Sequence, residues 1–167
     1  KNEVILPLAI QPRMSGRKIH LKGQISLGVC QDICIPHTIK FNTTLPADQN
    51  MLGTKIKTAL RQQPKTALAA GLRARRCSFS PAPNGLMLKV TLDMPSTGTP
   101  EHVVIETSNP LIWADPPTVS RTGKILSLQT LLTHSAGQPF ALTRNSIRIT
   151  VLGSDHAVDI NGCTEGY

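Results

Sequence analysis

The stretch IHLKGQISLGVCQDICIPHTIKFNTTL, residues 19–45, contains two runs in which apolar and polar residues alternate. The apolar positions of the two runs are Ile19, Leu21, Ile25, Leu27, Val29, Ile39, Phe41 and Leu45. A period of two is typical of a strand that buries one face. Two such strands around a short polar connector predict a β-hairpin with Cys30 and Cys34 at its turn end.

The segments on either side of this hairpin are predicted from weaker patterns. Residues 4–10, VILPLAI, are predicted as a strand, and Pro7 within it indicates an edge or a bulge. Residues 47–76 carry apolar residues at helical spacing, with Asp48 as the expected N-cap and Pro64 as the stop. They are therefore predicted as a partly helical linker.

The second half of the chain returns to short apolar or alternating runs, separated by Gly, Pro, Asn and Ser. The predicted strands are GLMLKVTLDM, HVVIET, KILSLQTLL, PFALT, SIRITVL and AVDI. Many short strands at near-regular spacing favour a β-sandwich over residues 77–167. The fold class is therefore predicted as all-β. Residues 1–46 supply about three strands, which is marginal for an independent unit, so we expect further strands upstream of Lys1.

Composition and charge narrow the class of protein. Only 3% of the residues are aromatic, and no apolar run approaches the length of a bilayer span. Because the chain starts at Lys1 without Met or a signal peptide, we expect a processed chain whose targeting segment has been removed. The net charge is +8, and seven cations are concentrated in the linker region, opposed locally by Asp48: Lys55, Lys57, Arg61, Lys65, Arg73, Arg75 and Arg76.

Nucleic-acid binding is disfavoured for this basic stretch because no aromatic residues interleave with it to stack on bases. A solvated connector is the simplest interpretation. Attraction to an acidic protein partner or to anionic lipid is the alternative.

The four cysteines form two different groups. Cys77 opens the predicted second sandwich and Cys163 closes it, so a bond between them is predicted as a structural disulfide that ties the ends of the domain together. By the chain-entropy model such a large loop gains about 4.5 kcal/mol, as an upper estimate.

Cys30 and Cys34 would close a very small ring, which removes little entropy from the unfolded chain. The spacing favours a redox-active pair, in which one thiolate attacks and the second resolves the mixed disulfide. His37, Asp32 and Pro36 are candidates to modulate it. Two alternatives remain: a passive β-sandwich interaction module whose disulfides are both structural, and a soft-metal site for Cu(I) with His37 or Met14 as a further ligand.

The residues around this pair resemble a known family. GVCQDICIPHTIKFNTTLP, residues 28–46, is similar to the active-site hairpin of the periplasmic N-terminal domain of DsbD-type thiol:disulfide reductases. The C-x-x-x-C spacing followed by Ile-Pro is closer to the suppressor of copper sensitivity protein B branch. VILPLAI, the basic connector and IETSNPLIWADP, residues 105–116, also resemble that branch.

The resemblance implies immunoglobulin-like sandwiches, of which the first is incomplete here, in the periplasmic part of an inner-membrane protein. It implies a thiol:disulfide oxidoreductase without a cofactor or metal, linked to copper tolerance. Electrons would come from a transmembrane domain through a thioredoxin-like domain of the same protein. They would pass to periplasmic thioredoxin-fold partners, with suppressor of copper sensitivity protein C expected among them. By the same resemblance, Cys34 is the attacking thiol and Cys30 the resolving one.

Overall fold

The computed structural model of the chain describes residues 4–12, 14, 16–30, 34–47 and 53–165, with the side chains of Cys30 and Cys34 outside that part. The fold is all-β, as the sequence predicts. The chain divides into two compact units, Lys1–Arg61 and Gln62–Tyr167.

The first unit contains a long hairpin. Strand β1 (Ile19–Cys30) pairs antiparallel with β2 (Cys34–Leu45) through twelve residue pairs without a bulge. The predicted alternation is present, since Ile19, Leu21 and Ile25 are half-buried while the residues between them, apart from Gly23, are exposed. Because partners across an antiparallel ladder share a face, the hairpin has one apolar and one polar face.

The flanks of the hairpin differ from the prediction. Residues 4–10 form no regular secondary structure, so the predicted strand is wrong, and Pro7 cannot donate a ladder hydrogen bond at its centre. Helix α1 spans Thr54–Arg61 and is too short to cross a bilayer; no helix of the described residues is long and apolar enough to do so. The predicted N-cap, Asp48, lies outside the described residues.

The region predicted as the linker is divided between the two units. Strand β3 (Lys65–Thr66) pairs with a strand of the second unit, and Ala70 is buried in that unit's core. Ala67 and Leu72 pack against the same core. Residues 62–76 are therefore part of the sandwich rather than a connector, because β3 pairs with one of its strands and Ala70 is buried in its core.

The second unit is a sandwich of two sheets. One sheet has the order β3-β11-β10-β6, and the other has the order β12-β4-β5-β9-β7, with β8 also pairing with β9. The bounds are β4 Ala74–Ala82, β5 Gly85–Asp93, β6 His102–Thr107, β7 Ile112–Ala114, β8 Thr118–Thr122, β9 Ile125–His134, β10 Ile147–Leu152, β11 Ala157–Asn161 and β12 Thr164–Glu165, with a 3-10 helix at Arg144–Ser146.

The core lies between these two sheets. Leu88, Leu92 and Leu126 project from one sheet, and Ile149 and Ile160 project from the other; all five are 0% exposed. Their strands alternate buried and exposed positions, as strands with one face on a core do.

Some strand predictions for this unit were wrong. PFALT forms no strand; instead Phe140 and Leu142 pack against the core from a segment without ladder hydrogen bonds. Strand β4 was not predicted, because adjacent Arg residues and Pro81 obscure its alternation.

Candidate redox site at the turn of the hairpin

The candidate site begins with the last residue pair of the hairpin. Strand β1 ends at Cys30, β2 begins at Cys34, and the two residues are partners across the ladder. Residues directly opposite in an antiparallel pair have Cα atoms about 4.5–5.5 Å apart. A disulfide needs about 4.4–6.8 Å, so the Cα spacing of this register is compatible with a bond between the two residues.

The remaining candidate residues take different positions around this pair. Pro36 is opposite Gly28, two residues further into the ladder, in the same alternating row as Cys30 and Cys34. Asp32 lies outside the described residues. Met14 is 59% exposed and precedes the hairpin without belonging to a strand.

His37 belongs to the other face of the hairpin. It is exposed and is opposite Leu27, in the row that also holds Val29 and Ile35. Since neighbouring residues of a strand alternate between faces, positions 34 and 37 fall on opposite sides of the sheet. A direct effect of His37 on the cysteine pair, as modulator or shared copper ligand, is therefore disfavoured by the register.

The row of the ladder that ends at the cysteine pair carries polar side chains beyond Gly28 and Pro36. Ser26 and Thr38 hydrogen-bond through their hydroxyls at 3.4 Å, and the Thr44 hydroxyl lies 2.8 Å from Nδ1 of His20. Lys22 and Lys40 lie between these two pairs. The two lysines were not among the predicted site residues, although their even positions place them in the row of Cys30 and Cys34.

The other cysteines form a bond far from the hairpin in sequence. Cys77 of β4 and Cys163 form a disulfide with a Cα–Cα distance of 5.8 Å and a sequence separation of 86. Cys77 is 2% exposed and Cys163 is 7% exposed. A buried disulfide that closes a large loop is a structural bond, because exchange requires a thiolate to reach a sulfur atom.

These elements define an all-β protein in which a hairpin with a paired Cys-x-x-x-Cys turn accompanies a disulfide-tied β-sandwich. No known protein family matches the sequence, and no curated protein matches it. Among solved structures, the fold is similar to the crystal structure of the N-terminal periplasmic domain of ScsB from Proteus mirabilis, with a TM-score of 0.67 and 17% sequence identity. The similarity covers 88% of this chain but 58% of that one, so the chain spans less than two thirds of its structural neighbour.

Proposed function

We propose that the chain is a periplasmic thiol–disulfide exchange domain in which Cys30 and Cys34 are the redox-active pair. The observation that carries this proposal is the register, which makes the two cysteines ladder partners at the turn end of the hairpin. The shared fold with a ScsB periplasmic domain and the sequence resemblance of residues 28–46 to DsbD-type hairpins support it independently.

The proposed reaction is dithiol–disulfide exchange. The Cys34 thiolate attacks one sulfur of an oxidised partner, which breaks the partner's S–S bond and forms a mixed disulfide. The Cys30 thiolate then attacks the Cys34 sulfur, closes the Cys30–Cys34 bond and releases the partner. Two electrons pass to the partner, and its two released thiolates take up the two protons that the cysteine thiols have lost.

The pair needs a reductant after each cycle. We propose a dithiol of a thioredoxin-like domain of the same full-length protein, which would be oxidised to a disulfide as Cys30–Cys34 is reduced. The electron acceptors would be periplasmic thioredoxin-fold proteins, including suppressor of copper sensitivity protein C. The chain would then belong to the periplasmic part of an inner-membrane protein linked to copper tolerance.

A trapping experiment tests the roles of the two cysteines. In the reduced chain with Cys30→Ser, an oxidised thioredoxin-fold partner should accumulate as a mixed disulfide on Cys34, because no second thiol resolves it. The matched variant Cys34→Ser should trap much less, and mass spectrometry identifies the bonded cysteine. Equal trapping on both cysteines would overturn the assigned order, and no trapping on either would overturn the exchange function.

The reduction potential of the pair separates exchange from a structural role. We expect a midpoint above about −300 mV, whereas a lower value would mark an inert bond. Copper handling is tested on the same reduced protein by titration with Cu(I). Tight stoichiometric binding without exchange activity would replace the proposed function by Cu(I) binding through soft sulfur ligands.

A further inference from the structure

The polar face of the hairpin carries two lysines. We define the polar face as the even-numbered positions His20, Lys22, Gln24, Ser26, Thr38, Lys40, Asn42 and Thr44, all of them exposed. Lys22 is opposite Asn42, and Lys40 is opposite Gln24, so the two ammonium groups start from diagonal positions of neighbouring strands. In the part of the chain that the structure describes, neither lysine has an acidic partner.

The charge of the whole chain is concentrated in the same unit. Residues 1–61 hold nine of the 18 Lys and Arg residues but three of the ten Asp and Glu residues, which gives this unit +6 of the net +8. Between positions 14 and 45 the sequence has a single acid, Asp32. Like charges at neighbouring strand positions repel each other, so an acidic surface that covers them would relieve this repulsion.

We infer that this polar face is the docking surface for an acidic protein partner, whose disulfide it brings to the Cys30–Cys34 pair. The inference rests on the proposed exchange function. It assigns the partner a chemical character: a thioredoxin-fold protein with carboxylates around its reactive disulfide.

The dimensions of the face fit one ordinary interface. Lys40 lies six residues from Cys34 along β2, which is about 20 Å at 3.3 Å per residue. A standard interface covers about 800 Å² on each partner, a patch close to 30 Å across. One partner can therefore cover the two lysines while its sulfur atoms reach the cysteine pair at the end of the same face.

The side chains of this face argue against nucleic acid as the ligand. Single-stranded nucleic acid binds where aromatic rings stack on its bases, and Phe41 belongs to the opposite row of the hairpin, opposite Gly23. The polar face instead presents hydroxyls, amides and ammonium groups, which suit a polar interface that steers a partner by charge. An anionic lipid surface would be attracted by the same ammonium groups, and the experiment separates it from a protein.

The experiment compares two oxidants for the reduced chain with Lys22→Glu and Lys40→Glu. With an acidic, oxidised thioredoxin-fold protein, the second-order exchange rate should fall about tenfold or more, because electrostatic steering acts on the association step. With the uncharged oxidant hydroxyethyl disulfide, the rate should remain unchanged. In the unaltered chain, only the rate with the acidic protein should fall as ionic strength rises.

The matched control carries Lys89→Glu and Lys124→Glu, two exposed lysines of the second unit, and has the same change in net charge. An equal loss of rate in this control would overturn the inference, since net charge rather than the polar face would then steer the partner. Glutamine at positions 22 and 40 should give a smaller loss than glutamate, and circular dichroism checks that each variant is folded.

Two other outcomes overturn the docking surface, and a third overturns the proposed function. An unchanged rate for the glutamate variant with the acidic protein would do so while leaving the exchange function intact. If the unaltered chain bound phosphatidylglycerol vesicles and the glutamate variant did not, while both exchanged disulfides at the same rate, the face would be assigned to lipid. Absence of exchange with both oxidants in the unaltered chain would instead refute the proposed function, on which the docking surface depends.

Discussion

The hairpin of the first unit, with two strands of 12 residues, and the sandwich of the second, with strands of at most 10 residues, differ in what they bury. In the sandwich, residues such as Leu88 and Ile149 are 0% exposed between two sheets. In the described part of the first unit no side chain is fully buried, and Val29 and Ile35, next to the cysteines, are 57% and 59% exposed. Stability is therefore concentrated in the unit without the candidate chemistry, and the candidate chemistry lies in the unit with little core.

The two cysteine pairs differ in the same way. The Cys77–Cys163 bond closes a loop of 86 residues, and its sulfur atoms belong to buried residues. Cys30 and Cys34 are separated by three residues of sequence, so a bond between them constrains the unfolded chain less. A bond that contributes little to stability can open and close during function without unfolding its domain.

Removal of the two disulfides is the strongest test of this difference. With Cys77→Ala and Cys163→Ala, the free energy of unfolding of the second unit should fall by about 4 kcal/mol, because the long loop is no longer closed in the unfolded chain. With Cys30→Ala and Cys34→Ala the same model gives about 2 kcal/mol at most for the first unit. Urea unfolding followed by hydrogen exchange on each unit measures both values.

Equal losses of stability in the two double variants, each measured in its own unit, would contradict this difference between the two cysteine pairs. Exchange activity provides a control in which the opposite variant should be affected. The variant without Cys77 and Cys163 should still exchange disulfides at low urea, while the variant without Cys30 and Cys34 should be inactive although its sandwich is intact.

The sequence predicted the hairpin and much of the sandwich because one buried face imposes a period of two on each strand. The same reasoning was wrong where apolar residues lie outside a ladder. Residues 4–10 and the PFALT segment, residues 139–143, are apolar and contain Pro, and neither forms a strand. Apolar composition alone does not show whether a segment has a neighbouring strand with which its backbone can pair.

The sequence indicated the two cysteines of the candidate site but not which residues share their face of the hairpin. The spacing of Cys30 and Cys34 is visible in the sequence, whereas the face of each neighbour depends on where β2 begins. Once β2 begins at Cys34, His37 falls in the apolar row and Lys40 falls in the row of the cysteine. Contacts between distant residues, such as that of Glu101 with Arg121, depend on packing and had no local signal.

Glu101 gives the sandwich a second stabilising contact for which the described hairpin has no counterpart. Its carboxylate accepts hydrogen bonds from the guanidinium of Arg121 and from the backbone and side chain of Thr97, at 2.8 and 2.9 Å for Thr97. The Glu101 side chain is 7% exposed. Burial alone would raise the pKa of Glu101, but these hydrogen bonds outweigh it and lower the pKa to about 2.

Acid should therefore weaken the sandwich in a defined range. Because the folded pKa of Glu101 lies below its ordinary value of 4.5, its contribution is complete above pH 4.5 and is lost as the pH falls towards 2. Glu101→Gln should lower the free energy of unfolding by about 3 kcal/mol at pH 6 and should have little effect near pH 2. Urea unfolding of the second unit between pH 6 and pH 2 measures the difference.

The matched control is Asp159→Asn, which removes a carboxylate that is 24% exposed and paired with Arg148 at 2.8 Å. A hydrogen bond from Arg148 lowers the pKa of Asp159, but the pair is open to solvent and salt. This variant should retain most of the acid-dependent loss of stability. If it abolished that loss while Glu101→Gln did not, the assignment to the buried pair would be wrong.

The smallest expected effect tests how tightly the hairpin itself is packed. The ring of Phe41 lies over Gly23, and a Cβ atom added to Gly23 would come within 2.7 Å of its Cζ atom. Gly23→Ala should therefore displace the ring and lower the local stability of the hairpin by about 1 kcal/mol. The higher strand propensity of alanine offsets part of this loss. In a Phe41→Ala background the same substitution should cost nothing, because the obstructing ring is absent. Hydrogen exchange of the β1 and β2 amides in all four variants gives the coupling between the two positions. Equal effects in both backgrounds would mean that Phe41 does not pack on the strand, and that the hairpin is held by its ladder alone.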